Sequence, residues 1–504
     1  MANMNSIIEM CYASATPSSV IGLIILTVTT IAIKRRYFSP LSDIPGPFLA
    51  SVTRFWQVRT LLQGDSIKVI QALHQKHGPF VRVAPNEVSV CHHDAPKKLL
   101  LTALPKDTFY GAGALPDYRF ESTLSITDPK AKVARARHLQ QGYSTSSLLR
   151  QEHRIDAIFS NLLDWLDRFA SSQKPMDLDK FFTFTAADIT GEVLFSKPFG
   201  YVAEGKDIDD TLARSHGIAG IGTATAYFPW LNKLVANPFM TWTGILPFRL
   251  IFETALNAIA ERQTTQKGEK HNDVLAHWLQ AHEEGKLTMR NVQAQTTLGV
   301  SGGTDGMSTG LQTFVYHTMR HPTAWQRCRE EVLQLKRKNR VVSFSDAQTM
   351  PYLQACIKES LRLFGPLGTG LPRVAVKGGT TIGERNFPEG VALSIHPYSM
   401  MRDTTIWGPD ANEFKPERWL DEKLGVAEMD KYYMPFGRGY ASCPGINLAK
   451  IELSKLAASI VRDYDIRLVD PSREWQYEAY FNTLPHSWPV FVKRVEHNDT
   501  DHTA

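Results

Sequence analysis

Cys443 is the cysteine whose neighbours suggest chemistry. It sits in FGRGYASCPG (Phe436–Gly445), with Gly437, Gly439 and Gly445 around it and a helix-like run behind. Glycines let a backbone approach a flat ligand closely, and amides at a helix start stabilise an anionic sulfur. A thiol placed this way can be a redox nucleophile, a metal ligand, or a buried and inert side chain. The other four cysteines, Cys11, Cys91, Cys328 and Cys356, are far apart, and none forms a C-x-x-C pair. That spacing argues against a disulfide framework or a zinc site and fits a reducing compartment. A second chemical group is Asp305, an acid among glycines in Gly302-Gly303-Thr304-Asp305-Gly306-Met307. A third is Glu359 with Arg362 in KESLR, a spacing that puts both side chains on one face of a helix.

The elements that must carry these residues read as mainly α with small β-sheets, an α+β class. At 504 residues and 43% hydrophobic content the chain can bury a large core. FVRVAPNEVSV (Phe80–Val90) alternates on both sides of a Pro-Asn turn and predicts a hairpin. Ile155, Ile158, Phe159, Leu162, Leu166 and Phe169 follow helical spacing. Thr288–Arg320 contains no proline and ends at His321-Pro322, so it predicts one long helix around Asp305. Pro351 suits the first turn of a helix running to about Phe364. Thr380–Tyr398 is strand-like around turns, and Pro444–Tyr464 is an amphipathic helix following the cysteine loop. No Pro/Ser-rich linker divides this body, which predicts one large domain.

Near the amino terminus, Ala13–Ile33 has no charged residue, and Lys34, Arg35 and Arg36 follow at once. About 20 apolar residues span a bilayer, and such a basic cluster stays on the cytosolic side. A signal peptide would carry its positive charge before the apolar run, where only Glu9 stands, so a retained anchor is expected. IPGP (Ile44–Pro47) then reads as a stiff linker. The formal charge of +5 is dispersed, and no long basic run points to nucleic acid.

FGRGYASCPG resembles the haem-binding loop of the cytochrome P-450 family, F-x-x-G-x-R-x-C-x-G, at Phe436, Gly439, Cys443 and Gly445. E-x-x-R at Glu359 and Arg362 is weak alone, but FKPERW (Phe414–Trp419) follows at the family's distance and offers Arg418 as a third member. The order of anchor, Pro-Gly linker, glycine-containing helix, E-x-x-R, PERW and cysteine loop spans nearly the whole chain and looks most like fungal microsomal members. The resemblance implies a P-450 fold over 49–495. Before it come a luminal tail (1–17), a transmembrane anchor with basic stop (18–36) and a linker (37–48); a polar tail (496–504) follows. It implies haem b ligated through the Cys443 thiolate, with O2 as oxidant. Glu359, Arg362 and Arg418 become a buried structural cluster. Electrons would come from NADPH through a separate flavoprotein reductase in the endoplasmic reticulum membrane, with the catalytic domain cytosolic. Lys130, Lys132, Arg135 and Arg137, with Arg438, Lys450 and Lys455, would form a basic docking face.

Departures from the family pattern bear on mechanism. The basic residue usual two positions before the thiolate is Ala441, and the pair usual in the helix after the hairpin is Lys132 and Ala136. Arg373 occupies a position where the family keeps a propionate partner. Lys132, Arg373, Arg137 and Arg438 are the candidates to neutralise the two haem carboxylates, which would be costly to bury unpaired. The threonine that usually follows the acid in the long helix is Gly306. Four glycines so close together, Gly302, Gly303, Gly306 and Gly310, predict a helix that is locally opened or closely approached. With no hydroxyl at 306, proton delivery could use water held by Asp305, the hydroxyl of Thr309, or a substrate group.

Oxygen insertion is the expected reaction, with coupling, desaturation, ring formation or rearrangement as the alternative. A haem-thiolate protein that binds ligand without turnover is a third reading. Pocket segments implied by the resemblance include Phe109–Phe120, Leu367–Pro372 and Tyr480–Trp488. Their aromatic, charge-poor character fits a hydrophobic terpenoid, polyketide or alkaloid-like substrate. Gly217–Phe248, rich in Trp and Pro with Lys233 as its one charged residue, reads either as core or as an apolar flap dipping into the membrane.

Overall fold

The structure is a computed structural model, and it describes residues 17–243, 249–264, 271–335, 339–421 and 425–496. The expected luminal tail, the end of the apolar flap (244–248) and nearly all of the polar tail lie outside the described residues.

Helix α1 (Pro17–Tyr37) has the length and apolar composition to cross a membrane, and none of its residues is buried. Helix α2 (Pro129–Leu139) begins at Pro129, with the Asp128 side chain capping the Ala131 N–H. Helix α3 (Glu152–Ser172) buries Ile155, Ile158, Phe159, Leu162 and Leu166, the stripe expected from their spacing. It packs on α4 (Leu178–Phe195), whose residues are almost all buried. Helix α5 (Thr211–Ala226) follows, and then α6 (Met289–Met319). Thr288 and Asn291 close a reciprocal capping box at the start of α6, and Arg320 follows its end. Helices α7 (Pro351–Leu363) and α8 (Ile446–Asp463) complete the frame around α6.

The main hydrophobic core lies among α3, α4, α6, α7 and α8. A second core backs a four-stranded sheet. In that sheet β1 (Phe80–Ala84) and β2 (Glu87–Val90) form the expected antiparallel hairpin. β2 runs parallel to β6 (Ala392–Ile395), and β6 pairs antiparallel with β3 (Leu371–Val374), in the order β1-β2-β6-β3. The parallel step needs a long crossover, which the helical body supplies. Small antiparallel pairs join β4 (Thr380–Ile382) to β5 (Arg385–Phe387), and β7 (Tyr464–Leu468) to β10 (Val490–Arg494). The pair β8 (Gln476–Ala479) and β9 (Thr483–His486) carries the turn 480–482 beside α5 and α6.

Helix α6 runs unbroken past its glycines, so the expected local opening is absent. Close approach explains two of them. A Cβ on Gly303 would lie 2.4 Å from Thr190 Oγ1 of α4, and one on Gly310 would lie 3.1 Å from Leu453 of α8. Gly302 and Gly306 face open space.

Beneath α7, Glu359 has no exposed side-chain surface and is fully hydrogen-bonded. Arg362 meets its carboxylate at 2.8 Å through both Nε and Nη2, and Arg418 Nε donates at 2.8 Å. Trp419 Nε1 donates at 2.9 Å, and the Lys415 backbone N–H at 3.0 Å. Arg362 also reaches the carbonyls of Met401, Ala411 and Glu413, so the cluster fastens α7 to the segment leading to the cysteine loop.

Removing one partner strands the other charges in the interior, which typically costs about 3–5 kcal/mol. Glu359→Gln is therefore expected to lower the chemical-denaturation midpoint sharply, and an unchanged midpoint would show that the cluster does not support the fold.

Candidate active site

The cysteine loop is held by its own backbone. The Cys443 N–H donates to the Phe436 carbonyl at 2.9 Å, and that of Ser442 to Gly439 at 3.1 Å. Gly437 and Gly439 have positive φ, and a Cβ on Gly439 would fall 1.9 Å from the Leu100 carbonyl oxygen. Only glycine permits that contact. Cys443 precedes α8, and its exposed surface opens onto an interior cavity of about 490 Å³. Burial pushes its thiol above the ordinary range, while the Gly445 N–H and Lys132 act in the opposite direction.

Phe436, Gly445, Ala441 and Ala136 line the cavity with Cys443, whereas Gly439 packs outside it against Leu100. Arg373 is 1% exposed; its Nη1 donates to Tyr110 Oη at 3.2 Å and to the Pro372 carbonyl at 3.0 Å, and its Nε has no partner. Lys132 is buried and its Nζ donates to the Tyr440 carbonyl. Arg438 also lines the cavity, although its guanidinium is engaged by the carbonyls of Asp430 and Tyr433. Arg137 does not reach the cavity: it is exposed and lines a separate surface pocket with Tyr440 and Lys130.

Sequence reasoning missed Lys106. It is buried at the cavity wall, with Nζ donating to the Thr123 and Leu124 carbonyls, and its backbone bridges to Arg373. Burial, with Arg373 and Lys132 nearby, pulls its ammonium down to about 7. It is the one cation between Lys98 and Arg119, beside Asp107 in a mostly apolar stretch. Glu452 of α8 was missed too: it lines the cavity, and burial drives its carboxyl well up.

Across the cavity, Asp305 lies on the wall formed by α6. Its Oδ1 is 2.9 Å from His216 Nε2 of α5, and Oδ2 accepts from Asn482 Nδ2 at 3.4 Å. Neither partner was singled out from sequence, though Asn482 lies in an expected pocket segment. Gly306 lines the same wall. Thr309 does not: it is buried outside the cavity lining, and its hydroxyl donates to the Thr483 carbonyl at 2.6 Å. A rise of three helical residues turns it towards the β8–β9 pair, so it cannot stand in for a hydroxyl at 306.

The sequence matches the family model for cytochrome P450 over residues 45–485. The chain belongs to the cytochrome P450 family. A pisatin demethylase of Fusarium vanettenii is 30% identical over 89% of this chain and 88% of its own length. The cytochrome P450 monooxygenase gsfF of Penicillium aethiopicum is 29% identical over 88% of this chain and 92% of its own. The monooxygenase cicH of Emericella nidulans is 28% identical over 90% of this chain and 94% of its own. Family and relatives make this enzyme a P450 monooxygenase. P450 enzymes hold haem through a thiolate-ligated iron and activate O2 with NADPH electrons supplied by a reductase.

The residues present fit that group. A thiol opens onto the cavity, and three buried cations, Lys106, Lys132 and Arg373, line it with no carboxylate partner among the described residues. Two propionates would satisfy them. A nearby carboxylate would raise Lys106 from about 7, so haem uptake should take up a proton above that pH. Haem affinity is thus expected to weaken as pH rises from about 7 towards 9, and Lys106→Met to flatten the profile. Transfer of haem to a scavenger protein, measured against pH, checks this; the same slope in the variant would remove Lys106 from the cradle.

Proposed function

We propose that this P450 inserts one atom of O2 into a hydrophobic small molecule of fungal secondary metabolism, with Cys443 as the haem-iron ligand and Asp305 as the acid serving proton delivery. The observation that carries the reading is one cavity with Cys443 at one wall and Asp305 at another, lined otherwise mainly by apolar side chains. Haem supplies the oxygen activation when bound. The chain supplies a thiol that opens onto the cavity and cations for the carboxylates. It also supplies a carboxylate held by His216 and Asn482. Thr309 is engaged elsewhere, so water held by Asp305, or a polar substrate group, takes the place of the missing hydroxyl. Gly306 leaves room for either: a Cβ there would meet only Pro366, at 4.0 Å.

Delivery from a membrane suits the surface. Trp230 is 67% and Trp242 80% exposed, which excludes core for these side chains of the expected flap. Ile221, Leu234 and Phe239 are exposed beside them, and the Phe228 ring lies tilted against that of Phe55, centroids 5.5 Å apart, joining the flap to the exposed Phe48 and Leu49 that follow α1. A contiguous apolar patch rimmed by an apolar helix fits a monotopic face on the endoplasmic reticulum membrane. Asn232, Val235 and Ala236 of the flap also line the cavity, so the membrane face and the active site share one wall.

The electron donor in this reading is the NADPH-dependent flavoprotein reductase of that membrane, docking where Lys130, Arg137 and Lys450 are exposed. Four expected members of that face are occupied otherwise, Arg438 by the carbonyls of Asp430 and Tyr433. Lys455 is fully buried against Glu152 and Asp156, Lys132 points into the interior, and Arg135 is held by Glu121.

In membranes carrying a reductase and labelled O2, product from an apolar substrate is expected to carry the label. Unlabelled product would favour coupling, desaturation or rearrangement. Asp305→Asn is expected to slow product formation by roughly 10²-fold, and unchanged turnover would remove Asp305 from the mechanism. Reductase-supported turnover should also fall as salt rises past about 0.1 M, where the Debye length nears 10 Å; a flat profile would count against charge-guided docking.

A further inference from the structure

Helix α5 roofs the cavity through Ser215, Ala219, Gly222 and Thr223, yet the core holds it thinly. Its buried residues are Gly220, Thr223, Ala224 and Ala226, all small and all in its second half. The first half has no buried residue. Elements with so few buried apolar contacts open at low free energy unless something else fastens them. At its second half, α5 rests on the 480–482 turn: Gly220 lies against the Tyr480 ring, and the Phe481 N–H donates to Thr223 Oγ1 at 3.2 Å. In its first half Leu212 packs at the edge of the main core and Asp207 caps the Leu212 and Ala213 N–H groups, while His216 supplies the polar tie to the cavity wall, 2.9 Å from Asp305.

We propose that His216 is a positioning residue whose imidazolium pins the roof helix to Asp305, both closing the cavity over its ligand and fixing the direction of the Asp305 carboxylate. This rests on the reading of the cavity as the substrate site. The two side chains are 30% and 18% exposed, so the pair is partly shielded and stronger than a surface ion pair. The charged groups that act most strongly on His216 are anionic: Asp305 from α6, Glu478 from β8 and Asp207 from the turn before α5. Burial disfavours the imidazolium, but these acids outweigh it and raise the histidine above its ordinary value. The sign follows. The ion pair is complete below the ordinary histidine range and is lost as pH rises through the raised value, leaving a neutral hydrogen bond. Asn482 keeps its hold on the other carboxylate oxygen throughout.

The test uses the ferric holoenzyme and 4-phenylimidazole, a haem-ligating probe followed by its Soret shift in stopped flow between about pH 6 and 9. In the natural protein, probe release should accelerate as pH rises. His216→Phe should release the probe about fivefold faster at low pH, the size expected for a partly exposed ion pair, and should lose the pH dependence. His216→Lys, which keeps a cation, should restore slow release. Backbone hydrogen exchange over 211–219 should rise in His216→Phe and return in His216→Lys. Unchanged release and exchange in His216→Phe, or the same pH profile without His216, would overturn the proposal. Asp305→Asn separates it from the catalytic reading. Faster release in that variant with product formation intact leaves the latch standing and the proton role refuted. Lost product formation with release unchanged does the reverse.

Discussion

Glu359 is a carboxylate with no solvent and no unsatisfied oxygen, and the position of the cysteine loop depends on it. Burying such a charge is unfavourable unless every lone pair finds a donor. Here the donors come from Arg362 on its own helix, from Arg418 and Trp419 in the PERW turn, and from the Lys415 backbone. Arg362 in turn takes carbonyls from Met401, Ala411 and Glu413. One helix and three loop segments are thereby held in one geometry. The chain then runs from that turn to Phe436, so the loop that presents Cys443 is built on a polar junction. Apolar packing tolerates small slips, whereas a buried cluster of this kind has one satisfactory arrangement.

The cavity above that junction shows the opposite electrostatic state. Lys106, Lys132 and Arg373 are buried with backbone carbonyls and aromatic rings as neighbours, and Lys106 is depressed to about 7. Cations with no carboxylate paired to them among the described residues mark a place made for an anionic ligand. The usual positions for such cations are alanine at 441 and 136, so in the proposed reading Arg373, Lys132 and Lys106, from the segment before Tyr110, would supply the neutralisation. The same group of charges supports the thiol, since Lys132 acts to lower the Cys443 thiol that burial raises.

Local patterns were the legible part of the sequence. The hairpin at Phe80–Val90, the stripe of α3, and the limits of α6 at Thr288 and Arg320 follow from periodicity, capping and proline. The cysteine loop and the Glu359 cluster were legible because each combines several residues at fixed spacing. Lys106, His216 and Asn482 were not, because each is a single polar residue whose meaning comes from a partner far away in the chain. Thr309 was misjudged for a related reason. Helical spacing places it near Asp305, but which way its hydroxyl turns is decided by the Thr483 carbonyl. The same holds for Lys455, a surface cation by sequence and a buried partner of Glu152 and Asp156 in the fold.

The glycines of α6 make the case that absence of a side chain can have different causes within one helix. At Gly303 a methyl group would collide with Thr190, and at Gly310 it would press closely on Leu453, so packing favours glycine at both. At Gly306 no such collision exists, and glycine there costs about 1 kcal/mol of helix propensity relative to alanine. A residue that packing does not require and propensity disfavours is explained by what the open space admits. That space adjoins Asp305, whose two oxygens are held on the other side by His216 and Asn482. A carboxylate fixed from behind and uncovered in front can organise whatever polar group enters, water or substrate, without a neighbouring hydroxyl. If Asp305 serves proton delivery as proposed, the departure at 306 would move that contact from the helix to the contents of the cavity, and the residues that hold Asp305 in place would matter to the reaction as much as the acid itself.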